Sequence, residues 1–176
     1  GFEVAEALVT LDLLHRAGVE AYLTGLHSGE VTSANGVRVK MDRVLPEIGE
    51  EAFLADLEML ILAGGMDNTI ELTCSAQAKR VIAGAADKGC KVAAICAAPV
   101  VLAGMGLLNG RKAVCYPGME GSMGTADVQV GSKVVVDGSF ITGQGPGAAF
   151  DFALKLVEVL KGQAVMEQVK EEIHYQ

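Results

Sequence analysis

Lys91-Val-Ala-Ala-Ile-Cys96-Ala-Ala-Pro-Val-Val-Leu-Ala-Gly104 is the stretch that decides the fold class. Lys91 to Ile95 is a short apolar run entered from Gly89-Cys90, the pattern of a strand covered on both faces. Pro99 to Ala103 follows as the first turns of a helix, with proline where a missing N–H costs nothing. Cys96 stands at the switch between the two. A thiol there looks toward helix N–H groups, whose partial positive charge favours thiolate over thiol. A strand-to-helix turn also lifts a side chain out of the sheet, as the nucleophile elbow does for serine. The alternative is a plain core thiol, because cysteine is among the most buried residue types.

Outward from this stretch the same alternation repeats. Met59 to Ala63 is a continuous apolar run, read as a buried strand that Gly64-Gly65 ends. Ser75 to Lys88 carries Ala78, Val81, Ile82 and Ala85 on one helical face and closes at Gly89. Upstream, Glu3 to Ala17 places Val4, Ala7, Leu8, Leu11 and Leu14 at helical spacing before Gly18. A helix of a parallel sheet is fed by a strand, so an average strand and turn, about ten residues, are expected ahead of Gly1. Val19 to Leu26 reads as a strand, followed by a loop and short hairpin turning at Asn35-Gly36 and a strand over Val37 to Met41. Leu45-Pro46 breaks the chain before a weakly patterned acidic segment, Glu47 to Asp56.

Downstream, strands are expected over Ala113 to Tyr116 and Phe140 to Thr142, with Val128–Val130 and Val134–Val136 as a strand pair across Gly131-Ser132. Gly118 to Thr125 reads as loop. Gly143-Gln-Gly-Pro-Gly147 delivers a strong helix, Ala148 to Leu160, stopped by Gly162, and a short helix covers Ala164 to Glu172. The whole predicts one domain over residues 1–176, a doubly wound, flavodoxin-like α/β sandwich with a mainly parallel central sheet.

Composition narrows the function. A net charge of −8 argues against a nucleic-acid surface, which needs a basic face. No run reaches the roughly 18 apolar residues of a membrane span, and no signal peptide is expected. Cys74, Cys90, Cys96 and Cys115 show no Cys-x-x-Cys spacing and only 3 His accompany them, so no metal site is expected. Scattered cysteines fit a cytoplasmic protein with reduced thiols. Neither Gly-x-x-x-x-Gly-Lys-Ser/Thr nor a strand-borne Gly-x-Gly-x-x-Gly is present, so no nucleotide cofactor is expected.

Sheets of this kind bind ligands at the carboxyl ends of their strands. Gly64-Gly65, Cys96, Cys115-Tyr116 and Gly143 to Gly147 all fall there. Glu6, near the start of the first helix, is placed to face the thiol, although a solvated helix carboxylate reads the same way. Glu3 lies on the neighbouring surface and complements the helix dipole. Two glycines at a strand end let backbone N–H groups approach a substrate oxygen closely, as an oxyanion hole requires, and equally make an ordinary turn. Cys115 is a second thiol at a strand end, of the kind that resolves a sulfenic acid to a disulfide. His15 is on the first helix, His27 in a loop after a strand and His174 near the C-terminus; none is next to a strand end in the core half of the sheet, so a Cys-His dyad is not supported.

Gly1-Phe-Glu-Val-Ala-Glu6-Ala, Leu62-Ala-Gly-Gly65, Ala93-Ala-Ile-Cys96-Ala-Ala-Pro99 and Gly143-Gln-Gly-Pro-Gly147 with Phe150 to Leu154 together resemble the ThiJ/PfpI superfamily. The branch resembled is that of the parkinsonism-associated deglycase and its bacterial relatives, and its fold is class I glutamine amidotransferase-like. The resemblance implies that Cys96 is the reactive cysteine and Glu6 the protonated glutamate beside its sulfur. Gly65 and Ala97, with Gly64, take the positions of the backbone N–H groups around it. It further implies a homodimer with the first helix at the interface, and no cofactor. Best-studied members of the branch carry His before the Pro that ends the next strand. Here that place is Tyr116, a phenol and a poor base at neutral pH; some bacterial members share it.

The implied function is cysteine-dependent chemistry on reactive carbonyls of the glyoxalase or deglycase type, on small α-oxoaldehydes or glycated protein. The alternative is a redox sensor or oxidation-regulated chaperone, with oxidants and misfolded protein as partners and little turnover. ThiJ-type names also attach to thiamine-precursor (thiazole monophosphate) synthesis, for which the residues give no chemistry. An amidotransferase triad needs a downstream His-x-Glu, which this chain lacks.

Overall fold

The structure is a computed structural model that describes residues 1–176. Helix α1 (Val4–Arg16) opens the chain. Strand β1 (Thr24–Gly25) pairs in parallel with β4 (Arg43–Val44), and between them β2 (Glu30–Thr32) and β3 (Arg38–Lys40) make an antiparallel hairpin. Short helices α2 (Leu45–Ile48) and α3 (Glu50–Ala55) lead to β5 (Met59–Leu62). Helices α4 (Met66–Cys74) and α5 (Ala76–Asp87) precede β6 (Lys91–Ile95) and α6 (Pro99–Gly104). Strands β7 (Lys112–Ala113), β8 (Asp127–Val128), β9 (Val134–Asp137) and β10 (Phe140–Gly143) follow, then α7 (Ala149–Lys161) and α8 (Gln163–Glu172).

The central sheet runs β5-β6-β10-β9, parallel except for β9. It divides two cores. Successive residues of a strand point to opposite faces, and β6 shows this directly: Val92 and Ala94 enter one cluster, Ala93 and Ile95 the other. The first cluster is filled by Val81, Ile82, Ala85 and Leu102 of α5 and α6. Leu13, Leu14, Phe152, Leu156 and Val157 of α1 and α7 fill the second. Every residue of β6 beyond Lys91 is fully buried, as its unbroken apolar run predicts. The expected doubly wound α/β sandwich is therefore observed.

Several elements differ from the sequence expectations. Only Thr24–Gly25 of the Val19–Leu26 run pairs as strand, because the Leu23 N–H is taken by the Asp42 carboxylate (2.8 Å) instead of a neighbouring strand. The acidic segment after Pro46 is helical; Glu50 grips the Arg80 guanidinium through both oxygens (2.9 and 3.0 Å to Nε), which ties α3 to α5. Helix α4 carries no apolar stripe to announce it, since Met66 and Ile70 are exposed and only Thr69 is buried. The Val128–Val130 and Val134–Val136 runs do not pair. Asp127–Val128 lies beside β7, held by Gln129 N–H to Ala113 O (2.8 Å), and β9 turns to β10 instead. The strand at Ala113 is short because the next amide, Val114 N–H, donates to the Thr142 hydroxyl (2.9 Å) and leaves the ladder.

The largest surprise is α1. The face that reaches the core holds Glu6, Thr10, Leu13 and Leu14, while Val4, Leu8 and Leu11 remain half-exposed outside both clusters. Two polar side chains are buried beside two leucines, and an apolar stripe is left over.

Candidate active site

Strand β6 runs out at Ile95, and Cys96 adopts φ +67°, one of only two non-glycine residues in the left-handed region. A side chain there costs about 1–3 kcal/mol and persists only if the surroundings fix it. Two backbone bonds do so. Cys96 N–H donates to Gly143 O at the end of β10 (2.9 Å), and Cys96 O accepts from Tyr116 N–H (2.8 Å). The chain then enters α6 with Pro99 in its first turn. The elbow expected from the sequence is present, and the Gly65 and Ala97 N–H groups act on its sulfur in the direction that favours the thiolate.

Glu6 comes to the same place from α1. Its carboxyl is 1 % exposed, and Oε2 accepts the Gly64 N–H at 2.8 Å. Oε1 is buried with no hydrogen-bond partner, and the Cys96 thiol adjoins the carboxyl. The meeting depends on Gly64. A Cβ there would stand 2.5 Å from Cys96 Cβ, 2.5 Å from Glu6 Oε2 and 2.9 Å from Ile95 O. Gly65 is needed for its own conformation, φ +92°, and for close backbone contact with Phe2 and Glu3.

The electrostatics run against one sequence expectation. Burial first, and then the Glu6 charge, push the Cys96 thiol up to about 12, against the smaller pull of the Gly65 and Ala97 N–H groups. The helix start at Cys96 is too short and too crowded by a carboxylate to lower the thiol by itself. Burial also raises Glu6 to about 7, although the adjoining Cys96 thiol and the Gly64 N–H pull it down. Two acids that interact this strongly lose their protons as a pair, in two steps. Once Glu6 is neutral the charge that opposes the thiolate is gone, and the two amides act on the sulfur unopposed by it.

Of the other expected site residues, Tyr116 is 46 % exposed, with its ring against Gly145, 3.2 Å from where a Cβ would sit. It reaches the elbow through its main chain. Cys115 is buried in the cluster with Leu102 and Ala113, whereas Cys96 belongs to the other cluster, and both thiols are free. His15 is bonded to Ala21 O (2.8 Å) and the His27 ring lies 3.1 Å from the Glu71 carboxylate, so both are engaged elsewhere. Sequence reasoning passes over Asn68. Its Nδ2 donates to Ala63 O at 2.8 Å, immediately behind Gly64. No pattern of residue types announces such a contact, because the partner is a backbone carbonyl.

The profile of the DJ-1/PfpI family matches residues 1–159. The chain belongs to the DJ-1/PfpI family. Protein dj-1beta of Drosophila melanogaster is 33% identical over 171 residues, covering 96% of this chain and 89% of that one. The crystal structure of Drosophila DJ-1beta superposes with a TM-score of 0.94 at 30% identity, over 100% of this chain and 94% of that chain. Deglycase PH1704 of Pyrococcus horikoshii is 30% identical, covering 91% of this chain and 94% of its own length. The glutathione-independent glyoxalase DJR-1.2 of Caenorhabditis elegans is 31% identical, over 91% of this chain and 83% of that protein. The DJ-1/PfpI fold thus accounts for the whole central sheet and for the strand ends at which Cys96, Gly64 and Gly143 converge. No helix is long and apolar enough to cross a membrane.

Proposed function

We propose that this protein consumes reactive α-oxoaldehydes, free or as adducts on protein, through a Cys96 thiolate paired with a neutral Glu6. The observation that carries the reading is the buried Glu6 carboxyl beside the thiol, one oxygen on the Gly64 N–H and the other without a partner. The names of relatives such as deglycase PH1704 and glyoxalase DJR-1.2 support the substrate class. With methylglyoxal, Sγ attacks the aldehyde carbon and the carbonyl electrons move to its oxygen. The Gly65 and Ala97 N–H groups stand beside the forming alkoxide, which takes the Glu6 proton to give a hemithioacetal. The Glu6 carboxylate then carries the C1 proton to C2 while the O1 proton passes to O2. Water releases the resulting thioester as lactate and restores the thiol. Cys96 is 9 % exposed, which restricts the attacked group to a small carbonyl. Free thiols at all four cysteines suit the reducing cytoplasm, where we place the protein.

The test is the pH dependence of Cys96 alkylation. Wild type is expected to gain reactivity as the pair loses its first proton near pH 7, since the proton that remains can then pass from Cys96 to Glu6 and leave the charge on sulfur, and Glu6→Gln, which cannot take up that proton, is expected to lose the step. A single apparent pKa near 8.5 in both proteins, the value of an ordinary thiol, would sink the proposal. The same variant reports on stability. Glu6 holds its proton more tightly folded than unfolded, so stability falls as pH rises from 4.5 to about 7. Glu6→Gln is expected to flatten that fall, worth about 3 kcal/mol, in urea titrations across the range.

A second reading uses the same pair without turnover: peroxide oxidises the Cys96 thiolate to a sulfinate, and the protein reports oxidant or then holds misfolded protein. It predicts a mass gain of two oxygens on Cys96 with negligible aldehyde loss.

We also propose a homodimer through α1. Val4, Leu8 and Leu11 form an apolar stripe that neither core covers, so a second copy of the chain has a surface to bury. Leu8→Lys is expected to halve the sedimenting mass; an unchanged mass, or a monomeric wild type, would remove this assignment.

A further inference from the structure

The hydrogen bonds around Gly64 pass through two consecutive peptide groups, each linking a donor on one side to a reacting group on the other. In the Ala63–Gly64 peptide the carbonyl accepts from Asn68 Nδ2 (2.8 Å) and the N–H donates to Glu6 Oε2 (2.8 Å). In the Gly64–Gly65 peptide the carbonyl accepts from Glu3 N–H (3.1 Å), and the N–H acts on the Cys96 sulfur, favouring its charged form. Hydrogen bonds joined through a peptide polarise one another. A donor on the carbonyl makes the same group's N–H a better donor and fixes its plane.

We propose that Asn68 is a positioning residue for the Glu6–Cys96 pair, orienting and polarising the Ala63–Gly64 peptide so that its N–H is held on the Glu6 carboxyl. The assignment rests on the thiol–acid reading of the site. It is Asn68 and not a general property of α4 that does this, because its amide alone in that helix turns back onto the strand end. Thr73, also on α4, bonds only to Thr69 O within the helix (2.8 Å).

The sign follows from which form of Glu6 the N–H supports. An N–H donor stabilises the carboxylate, so weakening it by loss of Asn68 favours the protonated acid. The ionisable groups that act on Glu6 are Cys96 from the elbow and Glu3 from its own helix. On α7, which packs on α1, Asp151 is engaged with Lys133 and Tyr175 and Lys155 with Glu158, and Lys161 stands exposed in the last turn. On α4, Glu71 pairs with His27 and Asp67 is exposed.

The experiment is infrared titration of the Glu6 carboxyl in the full chain, its band assigned by disappearance in Glu6→Gln, alongside the Cys96 alkylation profile. Asn68→Ala is expected to move the Glu6 midpoint up by about half a pH unit, roughly threefold in the ratio of acid to carboxylate. Asn68→Leu, which keeps the side-chain volume without the donor, is expected to do the same. Thr73→Ala, which removes a hydrogen bond from α4 but none from the Ala63–Gly64 peptide, is expected to leave the midpoint in place. A midpoint unmoved in both Asn68 variants overturns the assignment, as does an equal shift in Thr73→Ala, which would mark a general effect of loosening α4. A shifted midpoint with an alkylation profile that ignores Glu6 would instead leave Asn68 in place and overturn the proposed thiol chemistry.

Discussion

Cys96→Ser is expected to reduce methylglyoxal consumption to the uncatalysed background, a loss of about a thousandfold or more, as removal of a covalent nucleophile does elsewhere. The substitution is a clean one. Serine is nearly isosteric and accepts the left-handed backbone on the same terms as cysteine, and the bonds from Cys96 N–H to Gly143 O and from Tyr116 N–H to Cys96 O involve only main-chain atoms. The fold is therefore expected to keep its melting temperature while the chemistry is lost, since a hydroxyl next to Glu6 has no accessible anion. Cys115→Ser is the control. That thiol lies in the cluster on the other side of the sheet, and burial together with Glu120 pushes it up to about 11. Its removal is expected to leave turnover unchanged. Methylglyoxal loss that survives Cys96→Ser in purified protein would end the catalytic reading.

Gly64→Ala is expected to be nearly as damaging, by a different route. The added methyl meets Cys96 Cβ and Glu6 Oε2, each at 2.5 Å, and Ile95 O at 2.9 Å. Two of the three belong to or adjoin the fixed backbone of the elbow, so the Glu6 side chain is the part able to retreat. Retreat breaks its bond to the Gly64 N–H and leaves a buried carboxyl with both oxygens unpartnered. Overpacking and the lost bond together cost about 2–4 kcal/mol. For a domain of this size that corresponds to a fall in melting temperature of roughly 5–15 °C, measurable by calorimetry. The Glu6-dependent step in the alkylation profile is expected to disappear with it. A stable variant that retains the step would show that the acid and the thiol do not need their present separation.

What the sequence made legible is what physical periodicity records. The β6 run and Pro99 announce a strand and a helix with nothing between them but the thiol, and the elbow follows. Helix α5 advertises itself through Ala78, Val81, Ile82 and Ala85, all buried. Helix α4 escapes because its exposed Met66 and Ile70 reverse the usual pattern. In α1 the apolar stripe is only a partial guide: Leu14 is inside together with Glu6 and Thr10, while Val4, Leu8 and Leu11 stay half-buried on the outside. The direction of the Cys96 shift was beyond sequence reading for a related reason. The helix-start effect was visible from Pro99, but the opposing burial and the nearness of the Glu6 charge exist only after α1 has docked.

The two backbone bonds that pin Cys96 set what position 116 has to supply. Tyr116 contributes its N–H and not its ring, which points half into solvent beside Gly145. Selection on the elbow therefore constrains this position only to have an amide hydrogen, which excludes proline and tolerates the rest. Residue identity there is free to drift toward whatever the mouth of the site must admit. A Tyr116→His exchange would alter the side chain beside Gly145 on a clamp that does not notice it.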